Sequence, residues 1–253
     1  MVLQLEIAEY LQGGFSLAFV VISIILGTTI LSKYTEFKRR EFILIGLSLI
    51  GIANPWLGDA INFILIWFDT TLPWVTYFII ANVFLPGFVF CWLFALTEFK
   101  EFKENQKIVL STHIILIATF EVVFFIFLAA DMEGLIGDPQ GPFVVYWSVF
   151  IEGYLLISIV IVLVTGLLFA RESLKSDKPE LKLKGKFLIT AVIIFTAAAF
   201  VDSQTATLGL PIEITISIIV VVRVVLMISS ILFYIGFIMP EAVKKLLLKE
   251  EDY

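Results

Sequence analysis

Apolar positions along this chain neither alternate nor recur every third or fourth residue. They run on for about twenty residues at a time, bounded by short polar segments. Seven such runs are read at residues 14–31, 42–68, 74–96, 108–130, 143–170, 187–208 and 212–238. A helix rises 1.5 Å per residue, so about 20 residues cross a hydrocarbon core of about 30 Å. Continuous apolar character favours helices over the alternating strands of a membrane barrel. The pattern predicts an all-α integral membrane bundle of seven transmembrane helices. An N-terminal segment, 1–13, leads into the bundle of 14–240, and a tail of 241–253 follows. Within the first segment, residues 2–11 mix Leu3, Leu5, Ile7 and Leu11 with Glu6 and Glu9. That mixture suits either a short helix on the membrane surface or a lead-in to the first span.

The polar segments differ in charge. Residues 32–41, 97–107 and 171–186 and the tail hold lysines and arginines, whereas 69–73, 131–142 and 209–211 hold none. Of the 17 basic residues, all but Arg223 fall on one side of the expected bundle. Basic loops stay in the cytoplasm, so the N terminus is expected outside and the C terminus inside, in a multi-pass protein of the cell membrane. The outer segments carry only acids (Glu6, Glu9, Asp69, Asp131, Glu133, Asp138 and Glu213). The net charge of -6 is therefore divided unevenly, and the inner face is mildly basic, which suits anionic lipid head groups.

Composition narrows the chemistry. Hydrophobic residues make up 60% of the 253 and charged residues 16%, against about 45–50% and about 25% in soluble domains. This excludes a soluble enzyme, a nucleic-acid binder and a disulfide-built secreted domain. The single cysteine, Cys91, has no internal partner, and with one histidine, His113, no zinc or haem site of ordinary ligand count can form. There is no Gly-rich phosphate loop. No lysine lies inside any apolar run, which removes a retinal Schiff base. No cofactor and no enzymatic activity are expected, because the inner loops and the tail are too short for a soluble catalytic domain. His113, toward the inner end of its run, reads as a packing residue.

Ionisable groups inside a bilayer are costly, about 2.5–3.5 kcal/mol each at a helix centre. Five stand deep in apolar context: Asp59, Glu121, Glu152, Asp202 and Arg223. Counted from the outer end of each run, they lie roughly 9–17 Å deep. Asn82 stands at a similar depth, with Asn54, Asn62 and Gln204 nearby. The spacing predicts one polar layer in the outer half of the bundle. The candidate ligand-binding residues are Arg223, Glu121, Glu152, Asp59, Asp202 and Asn82. Four carboxyls share one guanidinium, and its planar fork is expected to pair with one or two of them. The layer admits a register-locking network, an outward-opening pocket or an ion path. Residues at one depth suit a path least, because a path needs a file of groups from face to face. Pro55 and Pro86 interrupt the second and third runs and predict kinks there. Ala197, Ala198 and Ala199 permit close helix approach in the sixth.

The third run ends in Leu85-Pro86-Gly87-Phe88-Val89-Phe90-Cys91-Trp92-Leu93-Phe94-Ala95-Leu96-Thr97-Glu98-Phe99. That stretch resembles the third helix of the seven-helix sensor regions at the N terminus of bacterial and archaeal histidine kinases. Gly141-Pro142-Phe143, a basic loop before span six, Leu210-Pro211, and an aromatic exit through Tyr234 to Pro240 fit the same pattern. The resemblance covers nearly the whole chain and implies a sensory membrane module. It fixes no catalytic set. The chain departs from the pattern after span seven, where about 13 residues follow and no phosphoacceptor or ATP-binding part, so output is expected through a separate protein. The expected function is a receptor-like sensor that binds a small ligand or lipid head group in the outward polar layer. The expected partners are the bilayer, that ligand and a cytoplasmic signalling protein, with self-association left open and nucleic acid excluded. A small proton-coupled carrier and a non-catalytic accessory subunit of a membrane complex are the alternatives.

Overall fold

The computed structural model of the protein describes residues 6–99, 102–205, 208 and 210–248. Residues 2–5 of the amphipathic start and Lys249 of the basic tail lie outside them. Among the described residues, seven helices are long and apolar enough to cross a membrane, and the protein is a multi-pass membrane bundle.

Helix α1 runs unbroken over Ile7–Phe37, so the described part of the N-terminal segment is a lead-in to the first span. The second crossing is built of α2, Glu41–Gly51, and α3, Leu57–Ile66, joined by a tight turn at Asn54–Trp56. The third is built of α4, Trp74–Asn82, and α5, Leu85–Thr97. Both breaks fall where the prolines stand, because Pro55 and Pro86 have no N–H to donate to the preceding turn. Neighbouring polar groups satisfy the carbonyls freed there. Asn54 Nδ2 donates to the carbonyls of Ile80 and Ala81 at the end of α4, each at 3.0 Å. His113 Nε2 lies 3.3 Å from the carbonyl of Pro86, which can only accept, and its ring stacks on Phe90. His113 is thus a packing residue beside the break.

Helices α6, Gln106–Ala130, α8, Val149–Leu174, α9, Pro179–Thr205, and α10, Ile212–Ile238, make the other crossings. Helix α10 packs between α9 and α1, α9 packs on α8, and α1 packs on α2 and α3. Helix α5 meets α2, α6 and α8. Helix α6 sits at the periphery, with 17% of its apolar window buried against 56% for the second crossing, so most of its surface is left for lipid.

The fifth crossing differs from the expected run of 143–170. Residues 143–147 are not helical. After a short helix α7, Met132–Leu135, the chain forms a hairpin of β1, Gly137–Gly141, and β2, Val144–Trp147. The strands pair antiparallel with Gly137 opposite Trp147 and Pro139 opposite Val145. Helix α8 starts only after Ser148, whose side chain accepts from the Ile151 N–H. Serine at this position satisfies a donor that the first helical turn leaves open. The hairpin is pinned across the acidic end of the bundle. Gln12 Nε2 donates to the Phe143 carbonyl at 2.7 Å, and Asn62 Nδ2 to the Pro142 carbonyl at 2.8 Å. Asn62 also accepts from the Leu72 N–H at 2.8 Å, so one side chain ties two loops together.

At the opposite, basic end, Glu98 joins two loops. Its carboxylate accepts from Arg40 at 2.8 Å, Lys103 at 2.9 Å and Gln106 at 2.7 Å. Burial pushes the Glu98 carboxyl up, but these three donors outweigh it and hold it at about 2, below its ordinary 4.5. A lowered folded-state value stabilises above the unfolded one and loses its effect as pH falls toward the folded one. The wild type is therefore expected to lose stability between about pH 5 and pH 2 more steeply than Glu98→Gln. The difference at neutral pH is about 1–2 kcal/mol, reduced because Arg40 and Lys103 are largely exposed. Thermal unfolding of both proteins across that pH range checks it, and parallel pH profiles would refute it.

Candidate ligand site in the charged layer

Arg223, midway along α10 and 3% exposed, is the centre of the site. An arginine this deep keeps its charge and must be surrounded by acceptors. Its Nη1 donates to Asp202 Oδ1 in the last turn of α9, and its Nη2 lies 3.9 Å from Asp59 Oδ2 in the first turn of α3. Its Nε donates to Ser16 Oγ of α1 at 3.1 Å, and Ser16 in turn faces Asp59 Oδ2 at 3.4 Å. The guanidinium carbon lies 5.1 Å from the ring centre of Trp56, a cation–π contact. Four crossings thus converge on one side chain.

The two carboxylates are held by further donors. Tyr77 of α4 donates its hydroxyl to Asp59 Oδ1 at 2.6 Å, and the Trp56 indole donates to Asp202 Oδ2 at 2.8 Å. Their positions matter. Asp59 stands at a helix start, where the exposed N–H groups favour a negative charge. Asp202 stands near a helix end, where the carbonyls oppose one. Arg223 and Trp56 compensate Asp202 directly.

Arg223, Asp59, Asp202, Trp56 and Tyr77 line a cavity of about 160 Å³. Its other walls are mostly apolar side chains of α5, α8, α9 and α10, with Ser158, Ser203, Thr205 and Thr215 among them, and hairpin residues including Phe143 and Trp147 line it at the acidic end. Tyr77 and Trp147 stack, with ring centres 6.5 Å apart.

Of the six candidate residues, Arg223, Asp59, Asp202 and Asn82 come together on this cavity. Asn82 is buried and donates to the Phe78 carbonyl of its own helix at 3.0 Å. Glu121 and Glu152 do not line the cavity. Glu121 projects from the peripheral helix α6 and is half-buried. Glu152 stands in the first turn of α8, not nine residues deep, because the hairpin occupies the residues counted as the start of that span. One of its carboxyl oxygens is buried without a hydrogen-bond partner. Sequence reasoning passed over Ser16, Tyr77 and Gln12, and gave Trp56 no role in the layer. The polar tips of Trp and Tyr in an apolar run are a signal, because each needs a partner when buried. Ser16 and Gln12 carry no such mark.

The arrangement can bind and orient a small molecule. Comparison with protein-family models, with curated proteins and with solved structures gives no match.

Proposed function

We propose that the protein is a receptor-like membrane sensor whose ligand enters the cavity beneath the hairpin. One observation carries the reading: the buried charged cluster does not merely cross-link helices but forms a wall of a cavity. A cluster that served only to lock register would close on itself with no volume beside it. Two features support a response to binding. The breaks at Pro55 and Pro86 lie beside the cavity, so each half-helix can shift without moving the whole crossing. The halves beyond the breaks, α2 and α5, end at the basic face, where Arg40 and Glu98 join them. In this reading the acidic end faces outside and the basic end the cytoplasm of the cell membrane, and a cytoplasmic signalling protein reads the basic face. The resemblance to histidine-kinase sensor regions points the same way.

The test is a set of benzene-sized fragments, cationic, neutral and anionic, screened by thermal stabilisation in nanodiscs. At least one class raises the unfolding temperature of the wild type. Ala199→Phe, which fills the cavity from α9, abolishes that rise while the protein still folds. Stabilisation that survives in Ala199→Phe, or its absence with every fragment, overturns the reading.

Discontinuous helices beside a cavity also favour a carrier. Ligand flux into sealed proteoliposomes separates the two readings, since a sensor binds without transport.

A further inference from the structure

We infer that the cavity is selective for a small organic cation, an alkylammonium group about the size of benzene. The inference rests on the ligand-site reading above and names the class of ligand.

Charge balance comes first. The buried cluster holds two aspartates and one arginine. With both carboxylates ionised the wall carries a formal charge of minus one, which a bound cation neutralises. Arg223 is already engaged within the cluster. Its Nε serves Ser16, its Nη1 serves Asp202, its Nη2 faces Asp59, and its face is covered by Trp56. An anionic ligand would add to that negative charge and would compete with Asp202 and Asp59 for the guanidinium.

The remaining walls suit the same class. Tyr77 and Trp147 line the cavity opposite its apolar helices, and the negative faces of aromatic rings attract ammonium groups, most strongly when both are dry. The approach is matched too. The loops at this end carry Asp69, Asp131, Glu133 and Asp138, and the described residues there include no lysine or arginine. Acidic mouths concentrate cations and speed their arrival. Size follows from volume: a cavity of about 150 Å³ holds benzene, and this one has about 160 Å³.

A free amine and the ammonium of a zwitterionic lipid head group share this chemistry. The experiment is calorimetric titration of the full chain in nanodiscs with three probes of one shape. These are choline, its uncharged carbon isostere 3,3-dimethylbutan-1-ol, and the pivalate anion. In phosphatidylglycerol discs, choline is expected to bind at least tenfold more tightly than the alcohol, with pivalate weakest. In Asp59→Asn the Tyr77 hydrogen bond is retained and the excess charge removed, so the preference for choline over the alcohol falls to within about threefold. Trp147→Leu weakens choline about tenfold, between the sizes of an exposed and a desolvated cation–π contact. Loss of choline binding in phosphatidylcholine discs identifies the lipid head group as the occupant; unchanged binding identifies a free amine. Equal binding of the alcohol, or tighter binding of pivalate, overturns the cation inference and leaves a ligand site standing. Silence from all three overturns the inference, and the fragment screen then decides the site itself. The wild-type probe series needs no variant to fold.

Discussion

Arg223→Leu is expected to lower the unfolding free energy by about 3–5 kcal/mol, the cost of removing one partner from a buried ion pair. The loss is not the worth of the pair. It is the cost of leaving Asp202 inside the bundle with one remaining donor, the Trp56 indole, at a helix end that disfavours negative charge. Two companion variants separate these contributions. Arg223→Lys keeps a charge but loses the fork that reaches Asp202, Ser16 and Asp59 at once, and is expected to fall between wild type and leucine. Arg223→Leu with Asp202→Leu removes both partners and is expected to recover a substantial part of the loss, because no uncompensated charge is left at that end of the layer. Asp59 remains held by Tyr77 and Ser16. Thermal unfolding in detergent, with helicity followed by circular dichroism, measures all three. A loss of less than about 1 kcal/mol for the leucine variant would show that the pair is not structural, and a double variant as unstable as the single would locate the cost elsewhere.

The same layer marks where sequence reasoning reaches and where it stops. Length and continuity of apolar runs identify the crossings, because the bilayer imposes a minimum of about twenty residues on any helix that spans it. Pro55 and Pro86 identify the breaks, because a missing N–H acts locally. Depth is legible for Asp59, Asp202, Arg223 and Asn82, because it is a count along one helix. Azimuth is not. Glu121 has the right depth on a helix that lies at the rim, and nothing within its own span says so, since every face of α6 is apolar. Glu152 fails for another reason. Val144–Trp147 is as apolar as a helix start, and a short strand cannot be told from a helical turn by hydrophobicity alone. The turn residues Gly141 and Pro142, followed by Ser148, carried the missing boundary. The cavity itself is a relation among crossings and leaves no trace in any one of them.

A close approach of two backbones is a relation of the same kind, and it sets up the second large effect. Gly27 of α1 and Gly46 of α2 face each other. A Cβ on Gly46 would stand 2.6 Å from the Gly27 carbonyl oxygen, and one on Gly27 would stand 2.7 Å from the Gly46 oxygen. These obstacles are backbone, so no rotamer change relieves them. In a membrane, where helices gain nothing from leaving water, such close packing is a main source of association. Gly46→Val is therefore expected to cost about 3 kcal/mol, the upper end for overpacking. It does so by driving α1 and α2 apart. Because α1 also carries Ser16 to Arg223 and Gln12 to the hairpin, the displacement reaches the site. Gly153 of α8 provides the contrast. Open space surrounds its would-be Cβ, so Gly153→Ala is expected to stabilise by about 0.5–1 kcal/mol through helix propensity alone. Opposite signs for the two variants, read from unfolding temperatures in the same detergent, follow only if the approach at Gly27 and Gly46 is tight. A neutral Gly46→Val would mean that α1 and α2 can separate at no cost, and the wall formed by Ser16 and Asp59 would then lose the scaffold that holds it against Arg223.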